Sequence, residues 1–223
     1  MVDDNINYEY IIRYIRDVLP QRSGIEGELE VFAEEYDVPI SQPETIKLLE
    51  ILAKLGNRKR ILEVGTAIGY SAIRLAKASG GCVDTIEING DAANFARKNF
   101  ERAGLSQKIT LYEGDANLVL PELAAKGNRY DMIFVDAAKA QYNSFFDYCM
   151  EMLEDGGLLI SDNILYKGMT ASDDLVLHRK RTIVKRLRKY VEMICNHTLL
   201  DTAILPLGDG VGISIKTKEI GVI

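Results

Sequence analysis

The sequence predicts an α/β fold: a mostly parallel sheet of seven strands with helices on both faces, an antiparallel hairpin at its C-terminal end and a helical extension at its N-terminus. Three observations predict it. From Arg60 onward, short β-rich runs alternate with helical stretches. The first sixty residues carry apolar side chains at helical spacing instead, and the last two strand-like runs are joined by turn formers with no helix between them.

Taken in order, the extension shows helical periodicity in Tyr10, Ile11, Tyr14, Ile15 and Val18, then in Leu29, Phe32, Ala33 and Tyr36, then in Leu48, Ile51, Leu52 and Leu55. The third segment opens on Ser41, a fitting N-cap, with Pro43 and Glu44 in the first turn. Strands are expected at RILEVG, CVDTIEI, KITLYEG, DMIFVDA, GLLISDN, TLLDTAILP and GVGISIK. Helices are expected near Tyr70 to Ala78, Gly90 to Ala103, Leu118 to Lys126, Ala140 to Leu153 and Asp173 to Ile194. Pro206, Gly208, Asp209 and Gly210 join the last two strands into a hairpin at the sheet edge. No repeat, low-complexity tract or linker divides the chain, so 1–223 reads as one domain, with 1–58 as the helical extension and 59–223 as the α/β core.

Composition narrows the functional class. A chain with 47% hydrophobic and 27% charged residues can bury one substantial core, and its apolar runs are too short to span a bilayer, so a cytoplasmic location is expected with no membrane partner. Three cysteines without CxxC spacing, Cys82, Cys149 and Cys195, suggest neither a disulfide framework nor a zinc knuckle and read as buried small hydrophobes. The net charge of −6 excludes a surface that is basic all over, yet HRKRTIVKRLRKY holds seven Lys or Arg residues: Arg179, Lys180, Arg181, Lys185, Arg186, Arg188 and Lys189. On a helix over 173–194, Ile183, Leu187, Tyr190, Val191 and Ile194 would form the buried stripe. Arg181, Lys185, Arg188 and Lys189 would lie mostly on another face, either solvated or meeting phosphates.

The first predicted strand runs into LEVGTAIGYS, where Gly65 and Gly69 bracket a turn before a helix. Glycine there lets the backbone approach a ligand, and the helix N-terminus points free N–H groups at it. The spacing is G-x-x-x-G. It lacks the G-x-G-x-x-G whose second glycine admits a pyrophosphate, so it suits S-adenosylmethionine (SAM) better than a dinucleotide. Glu87 ends the next strand about 20 residues on, where a carboxylate accepts from ribose hydroxyls. Asp115 and Ala116 fall where an adenine would rest, although Asp115 serves equally as a helix cap. The Ser41 and Ser71 hydroxyls either reach the methionine end or cap their helices.

Three oxygen donors stand at the ends of the fourth and fifth strands: Asp136 in FVDAAK, and Asp162 and Asn163 in LISDNIL. Neighbouring strands of an α/β sheet end at one crevice, so these residues can converge. Two carboxylates and an amide oxygen suit a hard cation such as Mg2+. Zinc would call for His or Cys, and neither His178 nor His197 is at a strand end. Lys139, three residues past Asp136, can act as a general base if a dication favours loss of its proton. The alternatives are solvated strand-end turns and an ordinary surface lysine.

Together, LEVGTAIGYS, Glu87, DAAKAQY, SDN and PLGDGVGIS resemble the metal-dependent catechol and caffeoyl-CoA type O-methyltransferases over nearly the whole chain. The resemblance implies a Rossmann-like class I methyltransferase fold with Asp136, Asp162 and Asn163 on Mg2+ and Lys139 as catalytic base. It also implies a SAM site drawn from Ser41, Gly65, Gly69, Ser71, Glu87, Asp115, Ala116 and Asp136, and a homodimer. VPIS, the basic segment after KGM and the compact length look most like the bacterial tRNA 5-hydroxyuridine methyltransferases. That implies a wobble uridine as substrate and the seven basic residues as the anticodon-loop contact. Ala137 and Ala138 depart from the bulkier residues of catechol-type enzymes and predict a more open mouth. A small catechol-like or caffeoyl-CoA-like phenol is the alternative substrate. A nucleotide-binding module or nicotinamide oxidoreductase is the remote one.

Overall fold

The computed structural model describes residues 6–218. They form a seven-stranded mixed sheet with helices around it and separate into two compact units, Tyr10–Val119 and, with residues 6–9, the chain from Leu120 onward. Among the described residues no helix is long and apolar enough to cross a membrane.

The first unit holds the N-terminal helices α1 (Glu9–Val18), α2 (Gly24–Glu35) and α3 (Pro43–Leu55), followed by β1 (Arg60–Val64), α4 (Tyr70–Ser79), β2 (Cys82–Glu87), α5 (Gly90–Arg102) and β3 (Ile109–Glu113). Its strands lie in the order β3-β2-β1, all parallel, with Ile61 beside Val83 and Val83 beside Ile109. These residues are buried, as strands covered on both faces must be. Asn89 caps α5 by accepting from the Asp91 and Ala92 N–H groups. Ser41 does not cap α3. That position falls to Gln42, whose side chain makes no capping bond, because Pro43 takes the first helical position and shifts the boundary by one residue.

Helices α3 and α4 are joined by a buried ion pair. Arg74, 2% exposed, donates to Glu50 and also to the Tyr70 hydroxyl. Burial pushes the Glu50 carboxyl up, but the hydrogen bond and charge of Arg74, with help from Lys47, outweigh it and hold the group below its usual value.

The second unit holds β4 (Tyr130–Val135), α7 (Tyr142–Met152), β5 (Leu153–Ser161), α8 (Arg181–Asn196), β6 (Leu200–Leu205) and β7 (Val211–Lys216). α6 (Ala116–Ala125) spans the division between the units. Strand order in this unit is β4-β5-β7-β6, with β4 and β5 parallel and β7 antiparallel to both β5 and β6. The expected hairpin is present, and it folds back so that β7 lies against β5. β5 starts directly after α7, earlier than GLLISDN suggests, because Glu154, Asp155 and Gly156 extend it through an exposed stretch.

Three expectations need correction here. The single helix over 173–194 is two short 3-10 turns, 173–175 and 178–180, followed by α8. Ser172 accepts from the Asp174 N–H and so begins a turn at that point, one whose hydrogen bonds end before α8 begins. Within α8 the buried stripe is Val184, Leu187, Tyr190 and Ile194, while Ile183 and Val191 are only half-buried. Tyr190 stacks edge-on against Tyr142 and Phe146, and its hydroxyl bonds Ser161. Finally, Cys149 is buried, but Cys82 and Cys195 are exposed, since each falls on the outward side of its element.

Glu50→Gln should destabilise the protein by about 3 kcal/mol at pH 7, because it leaves the buried Arg74 charged with only the more distant Glu30, 3.7 Å away, as counter-ion. The wild-type pair contributes above the ordinary carboxyl value of 4.5 and loses its contribution as the pH falls through the lower folded value. Urea denaturation at several pH values should therefore show the gap between variant and wild type closing in acid.

Candidate active site

The first cluster lies where β1 runs into α4. Gly65 (φ 110°) and Gly69 (φ 86°) both occupy backbone conformations that favour glycine, and a Cβ on Gly69 would come within 2.5 Å of the Phe100 ring. Between them Ala67 also has positive φ, 47°. The turn is braced by β2: the Gly65 and Thr66 N–H groups donate to the Ile86 carbonyl, and the Ala67 N–H donates to Glu87 Oε2 at 2.8 Å. Glu87 thus sits against the glycine turn as expected, although its oxygens already accept from Ala67 and, at 2.9 Å, from Asn89. Each carboxylate oxygen retains a further lone pair for a ribose hydroxyl.

The Gly114 N–H donates to the Glu87 carbonyl, which brings the start of α6 to the same strand ends. Asp115 Oδ1 accepts from the Asn117 N–H at 2.8 Å and so caps α6, the simpler of its two readings. Its Oδ2 has no protein partner among the described residues, and Ala116 opens the helix beside it. Ser41 and Ser71 are both buried, and neither hydroxyl hydrogen-bonds the described protein. Capping therefore does not account for them, and Ser71 lies in the first turn of α4, just past Gly69.

Two supports of the turn were not foreseen. Asn99, 1% exposed, donates from α5 to the Ile68 carbonyl at 2.9 Å. Beneath it a chain of short contacts runs from Thr66 to the Thr85 hydroxyl, which donates to Glu63, a carboxylate buried in β1. A buried polar residue in a mid-helix position, such as Asn99, is the signal that could have found the first. Nothing local marks the second.

The second cluster follows from strand register. Val135 pairs with Ser161, so the next residues, Asp136 and Asp162, leave parallel neighbouring strands together. The Asp162 N–H donates to the Val135 carbonyl at 3.0 Å, and the buried Tyr142 hydroxyl donates to the carbonyls of Val135 (3.2 Å) and Asp162 (3.0 Å), fastening both strand ends. Asp162 is 2% exposed, and burial, reinforced by the Asp136 charge, pushes its carboxyl well above the usual range. One oxygen accepts from the Asn163 N–H at 2.7 Å. Lys139 begins a 3-10 turn and brings its Nζ 3.1 Å from Asp136 Oδ1. Asp136, Lys139 and Asp162 therefore meet, and Asn163 adjoins them with φ 55°.

That left-handed backbone at Asn163 is imposed from the β6–β7 hairpin. Ile164 and Leu165 donate to the carbonyls of Gly210 and Asp209, and the Lys167 N–H donates to the Asp209 carboxylate. Gly210 (φ 89°) admits this approach, since a Cβ there would fall 2.3 Å from Leu165 Cγ. Among the described residues no three His, Cys, Asp or Glu side chains form a metal cluster, and the oxygen set here is two carboxylates and an amide. His178 is exposed, and His197 accepts from the Leu199 N–H and packs on Phe146; neither belongs to the site.

The basic segment is partly committed to structure. Arg188 is committed to the protein although partly exposed: it holds the carbonyls of Met169 and Thr170 and the Asp173 carboxylate, because the 166–173 segment folds over α8. Arg186 donates to the Ala140 carbonyl, and Lys180 lies over the Tyr166 ring. Arg179, Arg181, Lys185 and Lys189 are exposed.

Residues 31–217 match the O-methyltransferase family. A catechol O-methyltransferase of Niastella koreensis is 32% identical over 92% of this chain and 93% of its own length. A Staphylococcus aureus crystal structure, provisionally assigned as a caffeoyl-CoA O-methyltransferase, shares 36% identity over 93% of this chain and 100% of its own, with a TM-score of 0.86. The Bacillus cereus O-methyltransferase in complex with SAH shares 27% identity over 93% and 97%, with a TM-score of 0.82. The chain belongs to the O-methyltransferase family, in its catechol and caffeoyl-CoA group, and has that group's Rossmann-like fold.

Asn99→Ala would leave the Ile68 carbonyl without its donor. It should destabilise the protein by about 1–3 kcal/mol in urea denaturation.

Proposed function

We propose that this chain transfers a methyl group from SAM to one oxygen of a small catechol-like phenol, with Asp136, Asp162 and Asn163 holding Mg2+ and Lys139 as base. The observation that carries this reading is the β4–β5 register, which brings two carboxylates together beside one lysine. It agrees with the catechol O-methyltransferase relative, 32% identical over nearly the full length of both chains. SAM as donor is supported by the glycine turn with Glu87 against it, and by the SAH-bound B. cereus relative, SAH being what SAM becomes on losing its methyl group.

The acidic pair fits a divalent cation. Asp162 is a buried carboxylate whose charge is opposed by burial and by Asp136, and the nearby Lys139 ammonium supplies only one compensating charge. Oxygen donors alone suit a hard ion. When bound, Mg2+ would supply positive charge that lowers the pKa of a neighbouring hydroxyl and repels the proton on Lys139, leaving an amine able to act as base.

The remaining chemistry belongs to the chain. As the substrate oxygen forms its bond to the methyl carbon, the carbon–sulfur bond breaks and SAH leaves neutral at sulfur. The phenolic proton passes to the Lys139 amine, and Asp136, 3.1 Å away, holds the ammonium that results. Tyr142 keeps both strand ends in register throughout.

A second substrate, a tRNA 5-hydroxyuridine with its O4 beside O5, presents the same pair of adjacent oxygens. It is favoured by the exposed Arg179, Arg181, Lys185 and Lys189, which can meet phosphates.

Asp136→Ala should abolish methyl transfer, and Lys139→Ala should lower kcat by roughly 10²–10⁴-fold, both followed by label transfer from SAM. Full activity in either variant would remove the mechanism. Offered separately, a simple catechol should accept label and bulk tRNA should not; label entering tRNA alone would reverse the order of substrates.

A further inference from the structure

Two hydroxyls buried between α8 and the end of β5 have no part in the chemistry described so far. Tyr190 is 1% exposed, and so is Ser161, the last residue of β5 and the one before Asp162. Their hydroxyls share a hydrogen bond of 2.5 Å, and among the described residues neither hydroxyl has another. Replacing both with apolar groups of the same shape is close to neutral for stability, whereas removing one strands the other in the core. The pair therefore adds little to the fold. What it adds is direction, since it ties the end of β5 to α8 at one point.

That tie falls where the sheet stops holding the chain. Ser161 is the last β5 residue paired on both sides, with Val135 of β4 and Gly212 of β7. Past it, the Asp162 N–H keeps one bond, to the Val135 carbonyl, and Asn163 turns into left-handed backbone. Gly212 brings no side chain to the flank of Ser161. The space is taken by Ile164 and by Ile194 of α8, whose Cδ1 atoms stand 3.1 and 3.3 Å from where a Cβ on that glycine would lie. α8 thus grips this stretch twice, by Tyr190 at Ser161 and by Ile194 converging with Ile164. The two residues between the grips are Asp162 and Asn163. Tyr190 also packs edge-on, at 5.3 Å, against Tyr142, whose hydroxyl donates to the Asp162 carbonyl.

We propose that Tyr190 is a positioning residue for methyl transfer: its bond to Ser161 makes α8 the template against which Asp162 and Asn163 are set. The proposal rests on the reading of those two residues as Mg2+ ligands. Mg2+ demands near-ideal octahedral geometry, so a small drift of the Asp162 carboxylate costs affinity. Tyr190 acts through the backbone and touches neither the cation nor the substrate.

Calorimetric titration of the full chain with Mn2+, together with Tm in the absence of metal, tests this in the wild type, Tyr190→Phe and the Tyr190→Phe/Ser161→Ala double variant. Tyr190→Phe should bind Mn2+ about tenfold more weakly, the lower end of what loss of an outer partner costs a metal site. It should also lose a few degrees of Tm, because the Ser161 hydroxyl is left buried and alone. The double variant should regain most of that Tm and remain about tenfold weak for Mn2+, since the packing is whole again while the tie is gone. A purely structural role makes Mn2+ affinity recover along with Tm, and that outcome overturns the proposal. So does wild-type affinity in Tyr190→Phe. A wild type with no Mn2+ site removes the metal reading itself, and this proposal with it.

Discussion

The site depends on two like charges being held side by side, one of them, Asp162, where water scarcely reaches. The β4–β5 register places Asp136 and Asp162 at adjacent strand ends, and the Tyr142 hydroxyl, bonded to the backbone of both, prevents them from drifting apart. Left alone, such a pair raises its own proton affinity, as Asp162 does. Fold stability gains nothing from this arrangement, and replacing one acid with an apolar residue of similar size would relieve it. Its persistence at the carboxyl ends of parallel strands, where α/β sheets bind their ligands, is intelligible as a standing demand for positive charge at that point.

The rest of the second unit serves that demand. α7 brings Tyr142, the 3-10 turn ahead of it brings Lys139, and the β6–β7 hairpin clamps the residues after Asn163 through Asp209 and Gly210. The first unit does parallel work for the glycine turn, with Glu87 and the Ile86 carbonyl bracing it from β2 and Asn99 from α5. In both places positive-φ backbone is held by hydrogen bonds from a distant element, which keeps the cluster's side chains in place.

Much of this was legible in the residues. The strands are plain because β-branched runs bounded by glycine and aspartate leave little choice, and Asp136, Asp162 and Lys139 stand out because polar residues end apolar strands at corresponding points. What escaped was decided by contacts distant in sequence. Ser172 starts a turn that delays α8 to Arg181, the packing of α8 buries Val184 where Ile183 was expected, and the fold of 166–173 draws Arg188 inward. Ser41 lost its capping role to a one-residue shift that Pro43 imposes. The clamp by Asp209 and Gly210 spans more than forty residues, so no local pattern reveals it.

Electron paramagnetic resonance titration with Mn2+, a hard dication with Mg2+-like preferences, tests the central claim most directly. One bound ion per chain in the wild type, lost in Asp162→Asn while the protein stays folded, is the predicted result. A wild type that leaves all Mn2+ free in solution, or an Asp162→Asn variant that binds it as well as the wild type, would contradict the account.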